Sequence, residues 1–383
     1  MEMEKMIELI DAVSKSDLTG FKYEEDGIKL HLSKKENTCY VTENVSAPVN
    51  MTGTASAGVV SAEMGKTNAE GDQTLGAAAE EAVAGNIVES PLVGTFYSAP
   101  AEDAESFVKV GDRVSGAPLK PCMKCDDCQK GNFSLCKHYS FIGSREQGSN
   151  ADYVVIPEQN AVVYDSSISY EQAAMFEPST VALHGLLQNE YQGGQYVAVL
   201  GGGTIGMFTM QWAKIFGSRK VVVFDISEER LELAKRLGAD AVINTTKENY
   251  MQEAMALTGK KGYGYVFETA GQIPTMHMAF ELAGNKANVC FIGTPHAELT
   301  FTPAMWENMN RKEFHLTGSW MSYSAPFPGK EWELTAHYFA TGQLKFDPGF
   351  IYKKVPMSQA QEAFQMFKTP GLVKGKVLLV NES

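Results

Sequence analysis

The sequence lacks any long hydrophobic run. No apolar stretch approaches the roughly 18 residues that a bilayer-spanning helix needs. The sequence also lacks an excess of positive charge, because 33 Lys and Arg residues stand against 46 Asp and Glu residues and the formal net charge is −13. This negative net charge disfavours binding to nucleic acids or anionic membranes. We therefore expect neither a nucleic-acid partner nor a membrane partner.

The N-terminus lacks the features of a secretory signal, since Met1 is followed at once by the acidic residues Glu2, Glu4 and Glu8. Cysteine is scarce as well, with six residues in a chain of 383. We expect a cytoplasmic location, where cysteines stay reduced, and so no disulfide framework. The hydrophobic content of 44% is enough for two or three domains with cores of their own.

Four of the six cysteines nonetheless lie close together in one loop. They are Cys122, Cys125, Cys128 and Cys136, in a C-x2-C-x2-C-x7-C pattern. Thiolates at this spacing are typical of a tetrahedral zinc site. Because four sulfurs complete the coordination shell, no position is left for a substrate, and the pattern predicts a zinc ion that stabilises the fold without taking part in catalysis.

Composition and periodicity divide the chain into five parts. Apolar residues recur at helical spacing near the N-terminus and then alternate around Asp26-Gly27, which predicts a helix and a hairpin. Next comes a stretch rich in Ala and Gly that shows no sustained period and is typical of a flexible linker. The predicted parts are a helix-hairpin unit (1–36), a linker (37–86), a β-rich segment with the cysteine loop (87–171), alternating strands and helices (172–325) and a C-terminal segment (326–383).

A glycine-rich turn lies between a predicted strand at residues 196–200 and a predicted helix. The pattern is G-x-G-x-x-G, with Gly201, Gly203 and Gly206 at the key positions, and Asp225 closes the next strand. This context is typical of dinucleotide-binding folds. The first glycine permits the tight turn, the second lets a pyrophosphate approach the helix N-terminus, and the third lets helix and strand pack closely.

The acid at the end of the second strand indicates which dinucleotide binds. Asp225 is placed to accept hydrogen bonds from the adenosine ribose hydroxyls, and its carboxylate repels a 2′-phosphate, which favours NAD over NADP. Further buried strands are predicted at residues 241–243, 265–268 and 288–292. Together they predict an α/β, Rossmann-type, doubly wound parallel sheet, with candidate nicotinamide loops just past two strand ends.

From Gly111 onward the chain resembles the zinc-containing medium-chain dehydrogenases of the polyol branch. The resemblance rests on GDRV at 111–114, the cysteine loop, Phe176-Glu177-Pro178 and GGGTIG at 201–206; the stretch 318–333 most resembles galactitol-1-phosphate 5-dehydrogenases. It implies a GroES-like β-barrel domain beside the Rossmann-type domain, with residues 326–383 returning to that barrel. It also implies NAD-dependent oxidation of a polyol phosphate, as in the alcohol and sorbitol dehydrogenases, and a homo-oligomer.

The same resemblance implies a second, open zinc that activates the substrate hydroxyl. The family's ligands come from a Gly-Ile-Cys-Gly-type loop and a Gly-His-Glu motif, both upstream of the GDRV segment. Neither motif is present, and only Cys39 and His31 precede Gly111 among cysteines and histidines. Glu177 alone matches a family ligand position, as a remnant of the catalytic-zinc site. We therefore expect NAD binding with little or no turnover.

Residues 1–114 resemble a different family, the biotin carboxyl carrier protein of acetyl-CoA carboxylase. Residues 5–33 resemble its N-terminal segment, the linker its hinge, and residues 88–114 the first half of its biotinyl domain. The hairpin that presents Ala-Met-Lys-Met is absent, so biotin is not expected. The two resemblances meet at 110–114, and the chain resembles a composite, truncated in its biotinyl part and partial in its GroES-like barrel.

Two alternative functions stay open at this point. One is a non-enzymatic biotin carrier component of acetyl-CoA carboxylase in fatty-acid synthesis, favoured by residues 1–114 alone. The other is a catalytically silent NAD-binding fusion whose N-terminal part docks to carboxylase partners. Both compete with the polyol-phosphate dehydrogenase favoured by the larger part of the chain.

Overall fold

The computed structural model describes residues 108–369 and 371–381, together with the backbone of three strands near the N-terminus. The chain forms two compact units, residues 1–79 and residues 80–383. Across the described residues, every helix is too short or too polar to cross a membrane.

The first unit contains an antiparallel sheet of three strands in the order β1-β2-β3. The strands are β1 (Gly20–Glu25), β2 (Ile28–Ser33) and β3 (Tyr40–Glu43). Glu25 is the register partner of Ile28, so β1 and β2 form the predicted hairpin around residues 26–27. The helix predicted before this hairpin lies outside the described residues.

The third strand lies inside the segment predicted to be a flexible linker. Tyr40–Glu43 pair with β2 in register, with Tyr40 opposite His31. The linker prediction is therefore wrong for these four residues, where the aromatic and β-branched sequence Tyr-Val-Thr favours an extended chain that a neighbouring strand can stabilise. Residues 37–39 and 44–86, the rest of the predicted linker, lie outside the described residues.

The second unit begins, within the described residues, with short strands and one longer helix. Its first elements are β4 (Val114–Gly116), β5 (Leu119–Lys120), α1 (Asp126–Gln129), β6 (Ser140–Phe141), β7 (Ala161–Val163), α2 (Tyr170–Ala173) and α3 (Phe176–Gln188). Strand β4 pairs with β7 and β5 pairs with β6, both antiparallel. The cysteine loop connects β5 to β6, so both of its ends are held by one ladder.

A parallel sheet of six strands follows. Its elements are β8 (Tyr196–Leu200), α4 (Thr204–Ile215), β9 (Lys220–Asp225), α5 (Glu228–Leu237), β10 (Ala241–Asn244), α6 (Tyr250–Leu257), β11 (Tyr263–Glu268), α7 (Ile273–Leu282), β12 (Ala283–Phe291), α8 (Pro303–Lys312) and β13 (His315–Gly318). The strand order is β10-β9-β8-β11-β12-β13, which is the order of a doubly wound dinucleotide-binding sheet. All strands are parallel, so their carboxyl ends meet at one edge.

The strands of this sheet are apolar on both faces because helices cover both sides. In β8, Val197 to Leu200 are completely buried, and Val221 to Val223 of β9 are equally inaccessible. The predicted strands at 241–243, 265–268 and 288–292 lie within β10, β11 and β12, or extend one residue beyond β12. Strand β13 was not predicted, since its four residues show no apolar run of their own.

The chain ends with a helix and a small parallel ladder. The elements are α9 (Lys330–Ala340), β14 (Ile351–Pro356), α10 (Ala360–Met366) and β15 (Lys376–Val380). Strand β15 pairs in parallel with β14. Residues Val377 to Leu379 border the same cavity as Val114 to Gly116 of β4, so the end of the chain lies beside the β-rich segment, as the resemblance implied.

Helix α3 contacts helix α4, which packs against the parallel sheet. Trp212 of α4 is completely buried, and its indole N–H donates to both the carbonyl and the hydroxyl oxygen of Ser179, each at 3.1 Å. Ser179 lies in the first turn of α3, two residues after Glu177. The sheet therefore determines where the first turn of α3 lies.

The loop of residues 319–329, between β13 and α9, holds the cysteine loop in place. Leu119 donates its backbone N–H to the hydroxyl of Tyr323 at 3.1 Å, and the Ser134 hydroxyl accepts the Tyr323 N–H at 3.2 Å. Phe133 and Phe327 pack edge to face with ring centroids 5.3 Å apart. Since Tyr323 is 3% exposed, these contacts are shielded from water.

Replacing Tyr323 with Phe is expected to destabilise the second unit. The substitution removes the acceptor of the buried Leu119 N–H and leaves that donor unsatisfied, which costs about 1–3 kcal/mol. Urea unfolding of the zinc-loaded protein measures the loss. Tyr352→Phe is the matched control, because Tyr352 is 39% exposed and should change the unfolding free energy by less than about 0.5 kcal/mol. Equal values for the two variants would contradict the assigned role.

Candidate nucleotide and zinc sites

The glycine-rich turn between β8 and α4 has the geometry that the sequence predicted. Gly201 has φ +105°, and a Cβ there would lie 2.9 Å from the Cβ of Ala270. At Gly206 a Cβ would collide with the carbonyl oxygen of Gly201. Only glycine permits the turn and the close approach of helix to strand at these two positions.

The N-terminus of α4 is open towards a cleft. Gly203 is the N-cap residue and no side chain caps the helix. A Cβ placed at Gly203 would meet no atom within 4 Å, so free space lies in front of the uncapped N–H groups. The cleft has a volume of about 340 Å³ and is bordered by the glycine turn, by α5 and by Gly349 to Tyr352. Such an N-terminus favours an anionic group, which is what a dinucleotide pyrophosphate supplies.

Asp225 lies at the carboxyl end of β9, beside this turn. One carboxylate oxygen accepts the Gly202 N–H at 2.6 Å and the other accepts the Ser227 N–H at 2.8 Å. A guanidinium nitrogen of Arg230 lies 3.7 Å from the same carboxylate. These contacts fix the carboxylate beside the glycine turn, where its oxygens retain capacity to accept a further hydrogen bond.

Of the two loops predicted to approach the nicotinamide, the loop after β11 contacts the glycine turn, and the loop after β12 contacts the first loop through the Gly293 N–H, which donates to the Glu268 carbonyl oxygen at 3.0 Å. The Thr269 hydroxyl donates to the carbonyl oxygens of Leu200 and Gly201, at 2.9 and 3.1 Å. Glu268 is completely buried and accepts hydrogen bonds from the Gly271 N–H and the Thr275 hydroxyl. Burial raises the pKa of Glu268, although these hydrogen bonds act in the opposite direction. The carboxylate thereby holds this loop in shape.

The four predicted cysteines meet at one point. Their sulfur atoms all lie within 4.8 Å of one another, with 4.0 Å between Cys122 and Cys128 and 3.9 Å between Cys125 and Cys136. A tetrahedral zinc with bonds of about 2.3 Å places its sulfurs about 3.8 Å apart. The donor set and its spacing therefore fit one zinc ion.

Backbone groups already favour a thiolate in this cluster. A hydrogen bond from the backbone of Lys124 lowers the pKa of Cys122 to about 6, whereas burial raises the pKa of Cys128 to about 12. A thiolate is the form that binds zinc. Cys122 thus favours the thiolate form, whereas the buried Cys128 favours the neutral thiol.

Glu177 borders a separate cavity of about 430 Å³ between α3, β4 and β15. It is the one carboxylate among the residues that line this cavity, and neither cysteine nor histidine lines it. In the described part of the chain, the four cysteines form the one group of three or more His, Cys, Asp or Glu side chains able to hold a metal. The described residues around Glu177 therefore do not fit a catalytic zinc.

His184, for which the sequence indicated no catalytic role, is buried in α3 away from this cavity. Its Nδ1 lies 2.7 Å from Glu331 Oε1, and the Ser324 hydroxyl donates to the other oxygen of Glu331 at 2.6 Å. Burial alone would raise the pKa of Glu331, but the hydrogen bonds from His184 and Ser324 lower it overall. Sequence reasoning missed Glu331 and Tyr323, because their partners His184, Leu119 and Ser134 lie more than 140 positions away in the chain.

Cys128→Ser is expected to abolish zinc binding, and to lower the unfolding temperature, because the tetrahedral sulfur set is then incomplete. Cys290→Ala is the control: Cys290 is buried and free but lies outside the cluster. Zinc counting by plasma emission should give about one ion per chain for the parent and the control, and close to none for Cys128→Ser. One ion in all three proteins would overturn the assignment.

Glu177→Gln is expected to stabilise the protein at alkaline pH. Burial raises the pKa of Glu177, and the charge of Lys376 opposes that rise. A raised folded-state pKa means that the stability contribution of Glu177 is complete below the ordinary glutamate pKa and is lost as pH rises through the folded-state value. The variant should therefore be more stable than the parent at pH 8 and equal to it near pH 4 in urea titrations.

Glu171→Gln provides the matched control with the opposite sign. Glu171 pairs with Lys354, and this pairing lowers the pKa of Glu171. Removing that charge should destabilise the protein at pH 8. If Glu177→Gln also destabilises at pH 8 in the presence of zinc, the Glu177 carboxylate holds a cation after all.

Two protein-family models match this chain. Residues 204–337 match "Zinc-binding dehydrogenase", and residues 83–166 match "Alcohol dehydrogenase GroES-like domain". The second match confirms the GroES-like part of the predicted α/β fold. It begins at residue 83, within the stretch that resembles a carrier protein.

Relatives agree with these matches. Galactitol 1-phosphate 5-dehydrogenase of Escherichia coli K12 is 36% identical over 270 residues, which is 70% of this chain and 78% of that protein. The crystal structure of galactitol-1-phosphate dehydrogenase from Escherichia coli superposes with a TM-score of 0.68 at 34% identity, over 73% of this chain and 81% of that one. A putative zinc-binding dehydrogenase from Sinorhizobium meliloti 1021, bound to NADP, gives 0.63 at 25% identity over 72% and 78%.

None of these comparisons supports the resemblance of residues 1–114 to a biotin carboxyl carrier, the docking to carboxylase partners or the composite origin. The glycine turn, the four-cysteine cluster and the matched sequence over 70% of the chain agree with one another. The protein belongs to the zinc-containing medium-chain dehydrogenases, and it is an oxidoreductase of the alcohol dehydrogenase type by family.

Proposed function

We propose that this protein binds NAD(H) at the glycine turn and that its substrate class is a polyol phosphate, with turnover that is low or nil. The observation that supports nucleotide binding most directly is the uncapped N-terminus of α4, with open space at Gly203 and Asp225 beside it. When bound, NAD supplies the acceptor for a hydride. The chain itself supplies the turn, the helix N-terminus and the carboxylate that hold the nucleotide.

A preference for NAD over NADP follows from Asp225. Its carboxylate is buried and held by two backbone N–H groups, so it cannot turn away from a ligand. A 2′-phosphate beside it would bring like charges together. Of the two guanidinium groups that border the cleft, that of Arg230 already faces this carboxylate and that of Arg236 pairs with Asp347.

The polyol-phosphate class is proposed from the relative in Escherichia coli K12, which is named for galactitol 1-phosphate. The cavity beside Glu177 offers space for a small molecule, and Ser115, Ser149, Asn150 and two tyrosines supply polar groups on its wall. Hydroxyl and amide groups of this kind suit a polyol.

Low turnover is proposed because the described residues of this cavity offer no group that lowers the pKa of a substrate hydroxyl. Hydride transfer from an alcohol requires loss of the hydroxyl proton, and a metal ion normally makes that loss easier at neutral pH. Among the described residues on the wall, Glu177 is the single carboxylate, and no thiolate or imidazole lies beside it to complete a metal site. The nucleotide site can therefore be complete while the chemical step is slow.

The test is a fluorescence titration with NADH and NADPH. In Gly203→Ala the added methyl group occupies the space in front of α4, and NADH binding should weaken about tenfold to a hundredfold. Gly318→Ala is the matched control, since a Cβ there also meets no atom within 4 Å but lies in β13, away from the cleft. Equal NADH affinity in both variants, or tighter binding of NADPH than NADH, would refute the nucleotide assignment.

The second readout is turnover of the zinc-loaded protein with NAD and galactitol 1-phosphate. We expect NADH to form no faster with the parent protein than with Gly203→Ala, because the slow step is proton removal in the cavity. Rapid NADH formation by the parent, lost in Gly203→Ala, would show that a complete catalytic centre exists and would refute low turnover without affecting the nucleotide assignment.

A further inference from the structure

A second cleft lies at the opposite edge of the parallel sheet, where the strands begin. It has a volume of about 760 Å³ and is bordered by the first residues of three strands, Tyr196 of β8, Tyr263 of β11 and Ala283 of β12. The glycine turn follows the carboxyl end of β8, so this cleft and the nucleotide site lie at opposite ends of the strands. The proposed dehydrogenase function leaves the cleft unused.

The charged residues on the wall of this cleft are all positive. They are Arg219, Lys260, Lys261 and Lys312. The chain has a net charge of −13, whereas this cleft is lined by four cations and no carboxylate, so its local charge has the opposite sign. Among the described residues, none of the four forms an ion pair with a carboxylate, and Glu281, whose charge acts on Lys312, is not part of the lining.

Two of these cations are held in place by the fold. The guanidinium of Arg219 lies over the ring of Tyr196, 5.0 Å from its centroid. The ammonium of Lys312 donates to the carbonyl oxygens of Phe280 and Glu281, at 3.1 and 2.9 Å, at the end of α7. Since both side chains are already ordered, little conformational entropy is lost when an anion binds them.

The remaining two cations lie on a tight turn. Lys260 has a left-handed backbone, with φ +67°, and its N–H donates to the Met255 carbonyl oxygen at 2.8 Å. The turn continues into Gly262, where a Cβ would lie 2.7 Å from the Cα of Gly284. The close approach of these glycines brings the turn against the start of β12, so Lys260 and Lys261 face the same cleft as Lys312.

We propose that this cleft binds a small organic anion that carries two phosphate groups. Each phosphate monoester has a charge of about −1.5 to −2 at neutral pH, so two of them match the four positive charges. Arg and Lys side chains are the ordinary partners of phosphate oxygens. The volume lies within the range of small-molecule sites, roughly 300–1,000 Å³.

The test is calorimetric titration of the zinc-loaded full chain with fructose 1,6-bisphosphate at low ionic strength, with NADH present to occupy the nucleotide site. The bisphosphate should bind to the parent protein, whereas fructose, which carries no phosphate, should not. Affinity should fall as salt is added, because the contacts are ionic and partly exposed.

The variant Lys260→Glu with Lys261→Glu should weaken this binding at least about tenfold, since two attractions become repulsions. The matched control is Lys353→Glu with Lys368→Glu, which changes the net charge equally at exposed positions outside the cleft. Lys261→Gln alone should weaken binding about threefold and serves if the double variant unfolds. Equal affinity in parent, cleft variant and control, or no binding to the parent, would overturn the proposal.

Discussion

The close packing of β8 against α4 is the contact on which the nucleotide site depends. A side chain at Gly206 would occupy the position of the Gly201 carbonyl oxygen, and this approach is what brings the first turn of α4 to the end of the strand. The same carbonyl oxygen accepts from the Thr269 hydroxyl, which draws in the loop after β11. Three separate stretches of chain thus meet at one edge because two glycines allow it.

The loop of residues 319–329, in which Ser322 and Tyr323 are buried, has a comparable role for the cysteine loop. Tyr323 bonds the strand before the cysteine loop, and the Ser322 hydroxyl lies 2.8 Å from that of Thr180 in α3. His184 and Glu331 hold the far end of this loop. One loop, residues 319–329 after the last strand of the parallel sheet, therefore positions both the cysteine loop and the first turn of α3, which carries Glu177.

The proposed nucleotide site and the cavity beside Glu177 differ in how far apart in the chain their residues lie. The turn, the helix start and the acid of the proposed nucleotide site all lie between Leu200 and Asp225, while α5 and Gly349 to Tyr352 complete the wall of its cleft. The site beside Glu177 depends on donors from distant segments, and its wall presents serines, an asparagine, tyrosines and apolar groups. The family fold is thus retained, although the described residues beside Glu177 do not form a complete set of metal ligands.

Local patterns were sufficient for much of the fold. The strand-turn-helix at 196–215, the acid at 225 and the four cysteines were all predicted, because each depends on neighbours within about 25 positions of the chain. Short strands without an apolar period were not, as Tyr40–Glu43 and His315–Gly318 show. Such segments become strands because a neighbouring strand offers them hydrogen-bond partners, and the sequence of the segment does not record that neighbour.

The sequence by itself determined the α/β class, the glycine turn, the acid proposed to select the nucleotide and the four cysteines that meet in one cluster. Tertiary structure alone decided that Tyr323 would hydrogen-bond to residues at the cysteine loop, that Glu331 would pair with His184, and that four cations from separate elements would line one cleft. These contacts join residues that lie tens to hundreds of positions apart in the chain. Their partners are chosen by how the sheet and its helices pack, and no local pattern carries that information.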